Sequence, residues 1–265
     1  MKTKILWLYR YEPRYNFDHF LHIDVAEHLA KDKNVSLMAY GHRMNEGCPS
    51  LCSVGWNEDI TLNELHCFFN FDYVIVNTKS RCFLNYLPKN AIGNRNGEIR
   101  EGEWLPRDFH SFNKTPKIMI EEDYHYEDGD SWYKERGFNL ILHRHFVNVS
   151  FGNSFKSGIK HIFFPFSVDT TFFYDYNKKR ENYITYTGSI NDSYYSDRKK
   201  AIERLSAYGL FHQTTKKHIE NVDYVHNLNR YVSHLSGQSI YNILPAKIYE
   251  IASSGSVLLT NNNPL

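Results

Sequence analysis

Apolar residues in this chain fall into short runs, set between polar, glycine- and proline-containing stretches. Lys4-Ile-Leu-Trp-Leu-Tyr9 is one such run and predicts a buried first strand. Residues 17–31 carry Phe20, Ile23, Ala26, Leu29 and Ala30 at helical spacing, and Val35-Ser-Leu-Met-Ala-Tyr40 predicts a second strand closed by Gly41. This β-α-β unit implies a parallel sheet with a right-handed crossover. Further strands are predicted at 71–76, 116–123, 139–143 and 160–164. Residues 48–70 are less regular. Residues 87–115, with Gly, Asn, Arg and Pro, read as a long loop.

The pattern breaks at Phe164-Pro-Phe-Ser-Val-Asp169 and stays polar to Glu181. It then restarts with a strand at 183–187 followed by Gly188-Ser189, a helix at 197–208 and a strand near 210–214. A helix at 221–229 and a strand at 231–235 come next. A loop, 236–242, leads into the closing segment. There Leu244, Ile248 and Ile251 recur at helical spacing, Gly255 sits where a helix C-cap glycine belongs, and Val257, Leu258 and Leu259 predict a buried strand. Pro245 stands where a first-turn proline would start that helix. Lys247 and Glu250, three apart, share one helical face, and Ser254 extends it. The restart places a domain boundary within 166–180. The two expected domains are 1–170 and 171–265.

Composition narrows the class. The chain has 265 residues, 42% hydrophobic, with a net charge of +1. That is enough chain to bury a core as one large or two modest domains, and no global field draws it to nucleic acid or an anionic membrane. The basic start and short apolar run at Met1–Tyr9 suit a first strand better than a signal peptide. No stretch reaches the length of a transmembrane helix, so a cytoplasmic location is expected. Cys48, Cys52, Cys67 and Cys82 are then reduced thiols. With His42 and His66, the first two fit no common zinc spacing.

Three segments, in order, carry a resemblance: Phe164-Pro-Phe-Ser-Val-Asp-Thr-Thr-Phe-Phe173; Tyr183-Ile-Thr-Tyr-Thr-Gly-Ser189 followed by Tyr195-Ser-Asp-Arg198; and Lys247-Ile-Tyr-Glu250 with Ser254-Gly255 and Val257-Leu-Leu-Thr260. Together they resemble GT-B glycosyltransferases, nearest to the group 1 transferases related to CgeB-type spore-maturation proteins. The likeness covers roughly residues 160–265, while the first half matches only as a generic Rossmann-like domain. It implies an α/β fold of two Rossmann-like domains with parallel sheets. The resemblance also implies a second domain that is incomplete at its C-terminus, because the family continues past the final strand; a fragment or a naturally short protein would each account for that. An acceptor would bind the first domain, a nucleotide-sugar donor the second, with transfer in the cleft between them.

In the resembled family, the glutamate matching Glu250 accepts hydrogen bonds from the donor ribose. A carboxylate can accept from two vicinal hydroxyls at once. The bland alternative is a solvated helical pair with Lys247. Lys247 could stabilise the diphosphate, on which negative charge builds as the sugar leaves. Gly188 and Ser189 could bring backbone close to a phosphate, or form an ordinary turn. Arg198 could clamp the diphosphate, or be a surface arginine beside Lys199 and Lys200. Ser254 and Gly255 complete the donor-side set.

Glu121-Glu-Asp-Tyr-His125 follows a predicted strand, and carboxyl ends of parallel strands carry ligand sites. Asp123 or His125 could be the acceptor-side base. His143 and His145 compete for that role, and residues 10–14 should line the acceptor side. The expected function is a metal-independent glycosyltransferase, with a nucleotide sugar as co-substrate and no further cofactor. Its acceptor would be a glycan, protein, lipid or small molecule. A non-catalytic nucleotide- or glycan-binding protein, or a sugar epimerase on the same scaffold, are the rival readings.

Overall fold

The computed structural model describes residues 1–8, 24–41, 53–54, 57, 59–77, 105–121, 131–144, 158–188, 196–212, 221–237 and 245–261. These form two compact units, one ending at Pro165 and the other beginning at Phe166.

The first unit is built on a parallel sheet: β1 (Thr3–Leu8), β2 (Val35–Tyr40), β3 (Ser53–Val54), β4 (Tyr73–Asn77), β5 (Lys117–Glu121), β6 (Leu140–His143) and β7 (Lys160–Phe163). Its order is β3-β2-β1-β4-β5-β6-β7. Helices α1 (Asp24–Lys31), α2 (Leu62–Phe69) and α3 (Ser131–Glu135) connect strands. The continuous apolar runs have a direct cause: both faces of the sheet are buried. Leu6 and Leu8 point into one core with Met38, Val74, Val76 and Phe109. Ile5 and Trp7 alternate into the other, with Ala26, Leu37 and Ile75.

The second unit has a four-stranded parallel sheet: β8 (Glu181–Thr185), β9 (Phe211–His212), β10 (Tyr231–Leu235) and β11 (Val257–Leu259), in the order β11-β10-β8-β9. Helices α4 (Ser196–Ala207), α5 (Asn221–Arg230) and α6 (Lys247–Ser253) link them. Tyr224, Val225 and Leu228 of α5 pack with Ile251 of α6 and Phe173 into its core.

Several expectations shift. The strand read at 183–187 runs from Glu181 to Thr185, because Glu181 pairs with Tyr231 and its carboxylate binds Arg230 at 2.7 Å. Tyr186, Thr187 and Gly188 therefore lie beyond its carboxyl end. The closing strand is not buried. β11 pairs only with β10 among the described strands, and Val257 is 53% exposed. The stretch 48–70 contains α2, and 105–115, read within a long loop, holds Phe109 and Phe112 in the first core. Pro245 precedes the first helical residue by two positions; its carbonyl accepts from the Ile248 N–H at 3.1 Å. Among the described residues, no helix is long and apolar enough to cross a membrane.

Candidate functional site

After β8 the chain goes to β9 on one side and then to β10 on the other. In open α/β sheets, the crevice outside the carboxyl ends at such a reversal is where ligands bind. Tyr186 to Gly188 follow β8 at that end, and Ser236 and Gly237 follow β10. Around them stand Arg198 from α4, Tyr224 and Asn227 from α5, and Lys247 and Glu250 from α6.

Lys247 is half-buried, and its ammonium packs against the turn that follows β8. It donates to the Thr187 carbonyl and lies 5.5 Å from the Tyr186 ring centre and 5.7 Å from that of Tyr224. Burial brings its pKa down to about 8; Glu250 opposes the shift and Arg198 adds to it. Gly188 closes this corner at a φ of +139°. A Cβ there would lie 2.7 Å from both Lys247 Nζ and the Tyr186 hydroxyl, so only glycine fits. Asn227 Nδ2 donates to Thr187 Oγ1 at 2.6 Å and pins the same loop.

Arg198 is 9% exposed. Its guanidinium stacks 4.8 Å from the Tyr186 ring centre. It donates to the Tyr186 hydroxyl at 2.5 Å and to the Gly237 carbonyl at 3.2 Å, both uncharged oxygens. Beside it opens a cavity of about 470 Å³, lined by Asp197, Lys200, Arg204, Leu235, Leu259 and Asn261 among others.

Glu250 is 7% exposed, and its Oε2 accepts from the Tyr224 hydroxyl at 2.5 Å. Burial pushes its carboxyl up, while Tyr224 and Lys247 pull it back. Burial and the Glu250 carboxylate hold the Tyr224 phenol well above its usual range, so it stays a donor. The site thus offers two cations, suited to an anion, next to a carboxylate that can accept from hydroxyls.

Gly188, Arg198, Lys247 and Glu250 come together in this way, joined through Tyr186 and Tyr224. Ser254 and Gly255 sit at the far end of α6 and take part in packing. The Ser254 carbonyl accepts from Arg180 at 2.6 Å, and its buried hydroxyl has no hydrogen-bond partner among the described residues. Gly255, at a φ of +71°, leaves no room for a Cβ, which would stand 2.6 Å from Asp175 Oδ2. His143 is fully buried; its Nε2 lies 2.8 Å from His161 Nδ1, and the rings stack. Asp123, His125, His145, Ser189, residues 10–14, His42, Cys48, Cys52 and Cys82 lie outside the described residues. Among the described residues no three His, Cys, Asp or Glu side chains group as metal ligands; Cys67 is exposed, and the His66 ring packs edge-on to Phe71.

Reasoning from sequence missed three residues: Tyr186, Tyr224 and Arg180. Tyr186 is the platform between the two cations, Tyr224 holds Glu250, and Arg180 ties helix ends to the sheet. The one signal for the tyrosines was position. Tyr186 sits two residues before Gly188, and Tyr224 falls on the buried stripe of α5.

No protein-family model matches the chain. No curated protein matches it either. Among solved structures, a candidate UDP-N-acetylglucosamine 2-epimerase from Listeria monocytogenes aligns over 98% of this chain and 79% of its own, with a TM-score of 0.52 at 8% identity. The UDP-GlcNAc 2-epimerase from Neisseria meningitidis, solved with UDP-GlcNAc bound, covers 88% of this chain and 77% of its own, with a TM-score of 0.43 at 13% identity. At such identities the first likeness is one of fold: this chain has the GT-B-like α/β architecture found in a nucleotide-sugar enzyme.

Proposed function

We propose that the chain is a nucleotide-sugar-dependent enzyme that transfers a sugar to an acceptor hydroxyl. The carrying observation is the half-buried Lys247 ammonium, held on the Thr187 carbonyl beside Gly188, at the carboxyl ends of β8 and β10. A diphosphate would lie against Lys247 and Arg198, with Gly188 and Ser189 in the turn beside it. Ser254 and Gly255 would support the same helix from its far end. Glu250 would accept from the ribose hydroxyls.

When the bond from the anomeric carbon to the diphosphate oxygen breaks, its electron pair stays on the nucleoside diphosphate. The two cations would hold that charge in place of a metal. The acceptor proton would pass to Asp123 or His125, which follow β5 in the chain.

The test has two parts. UDP, GDP, CDP and ADP are titrated into the protein by calorimetry. Lys247→Met and Glu250→Ala should each weaken the tightest binder by about tenfold or more, the loss of one hydrogen bond to a charged group. A protein that binds none of the four, or variants that bind like the wild type, would sink the reading. The matching nucleotide sugar is then incubated with the protein and a panel of hydroxyl acceptors (glycans, peptides, lipids and small alcohols) and followed by NMR. Release of nucleoside diphosphate with a new glycosidic bond supports transfer. An epimerised sugar points to isomerisation instead, and an unchanged sugar that binds points to a carrier.

A further inference from the structure

Glu250 is not oriented by its own helix. The hydrogen bond its carboxylate receives comes from α5, where the Tyr224 hydroxyl meets Oε2 at 2.5 Å, the short separation of a charge-assisted O–H···O⁻ bond. Tyr224 is itself fixed: it is 3% exposed, edge-on to Phe173 at 6.2 Å and 5.7 Å below the Lys247 ammonium. A glutamate carboxylate otherwise turns broadly about its last torsion. Held at one oxygen, it presents the other in a defined direction, and about three of its four lone-pair positions stay available.

We propose that Tyr224 is the positioning residue for Glu250, fixing the carboxylate so that it meets a vicinal diol and so setting the preference for ribonucleotides over 2′-deoxyribonucleotides. The proposal rests on the reading of Glu250 as the ribose acceptor. A second consequence of the same geometry supports it. The tyrosine hydroxyl and Lys247 both favour the ionised carboxylate against burial, and that form is the stronger acceptor for hydroxyls.

The intact chain is titrated with the four ribonucleoside diphosphates and their 2′-deoxy counterparts. The wild type should prefer the ribo form by about tenfold, one hydrogen bond to a charged group. Tyr224→Phe removes one oxygen and should bring that ratio to about threefold or below, since the carboxylate is kept but no longer aimed. Glu250→Gln should lose the preference as well. The double variant should match Glu250→Gln alone, because the tyrosine acts only through the carboxylate.

If Tyr224→Phe keeps the wild-type ratio while Glu250→Gln loses it, the tyrosine proposal fails and the Glu250 reading stands. If the wild type binds no diphosphate, or does not discriminate, both fall. Should Tyr224→Phe alone not fold, Tyr224→Leu, which also removes the hydroxyl and keeps Glu250, decides by the same ratio. A wild-type preference in it overturns the proposal.

Discussion

At the scale of single residues, Lys247 holds its charge against its surroundings. Burial lowers it from 10.5 to about 8. Lys117, at the start of β5, is 1% exposed; among the described residues its ammonium donates to the Phe109 and Arg136 carbonyls, and burial likewise brings it down to about 8. For both, the folded pKa lies below the unfolded one. Between pH 8 and 10.5 the unfolded chain therefore binds more protons, and stability rises with pH across that window. Below pH 8 both lysines are charged in either state and their burial penalty is fully present. Urea midpoints should climb from pH 8 to 10, and Lys247→Met and Lys117→Met should each flatten the slope. An unchanged slope in both would show that neither ammonium is shielded in solution.

The same residues show what a sequence displays. Lys247, Glu250, Arg198 and Gly188 stood out because charge or a missing side chain at motif spacing is visible in one dimension. Tyr224 and Tyr186 did not. The chain has 20 tyrosines, and position alone marks the two whose hydroxyls meet Glu250 and Arg198.

At the scale of elements, Arg180 is what holds the second unit's helix ends. From just before β8 it reaches the Leu228 and Tyr231 carbonyls, Ser256 Oγ, Asp175, Asn229 Oδ1 and the Ser254 carbonyl. Two of these are carbonyls at the C-terminal ends of α5 and α6, which no intrahelical donor can satisfy. A guanidinium fork can serve so many acceptors; a single ammonium cannot. Arg180→Lys should therefore cost about 2 kcal/mol or more in urea unfolding, since several charge-assisted bonds go at once. Nucleoside diphosphate affinity should change less than stability, because Arg180 touches neither Lys247 nor Glu250. A wild-type midpoint in Arg180→Lys would mean the network is redundant.

Most elements were legible from periodicity, because a parallel strand buried on both faces writes an unbroken apolar run. The exceptions are instructive. α2 had a readable start signal: Thr61 accepts from Glu64 N–H at 3.1 Å, and the Glu64 carboxylate accepts from Thr61 N–H at 2.7 Å, a capping box. The helix is short and carries phenylalanines on more than one side, which hides its period. The rest of its cap was not readable. Asp108, 46 residues on, takes the Leu62 N–H at 2.6 Å. β11 was misjudged for a related reason: composition shows an apolar strand but not whether a neighbour covers it.

At the scale of the molecule, every described residue in the proposed donor set belongs to the second unit, whereas the first unit's sheet is packed with apolar side chains on both faces. A ligand that binds only the native second unit stabilises by mass action, by about 2.7 kcal/mol at a hundredfold excess over Kd. That energy should appear where the contacts are. Under saturating nucleoside diphosphate, hydrogen exchange should slow in the segments spanning β8 to Gly188, the first turns of α4 and α6, and Tyr224. The amides of β1, β2 and β4 should exchange as they do without ligand, since local openings there break no ligand contact. Protection in β1, β2 and β4 with none around Gly188 would relocate the nucleotide site to the first unit. Protection around Gly188 that disappears in Lys247→Met would tie the energy to the ammonium from which the functional proposal starts.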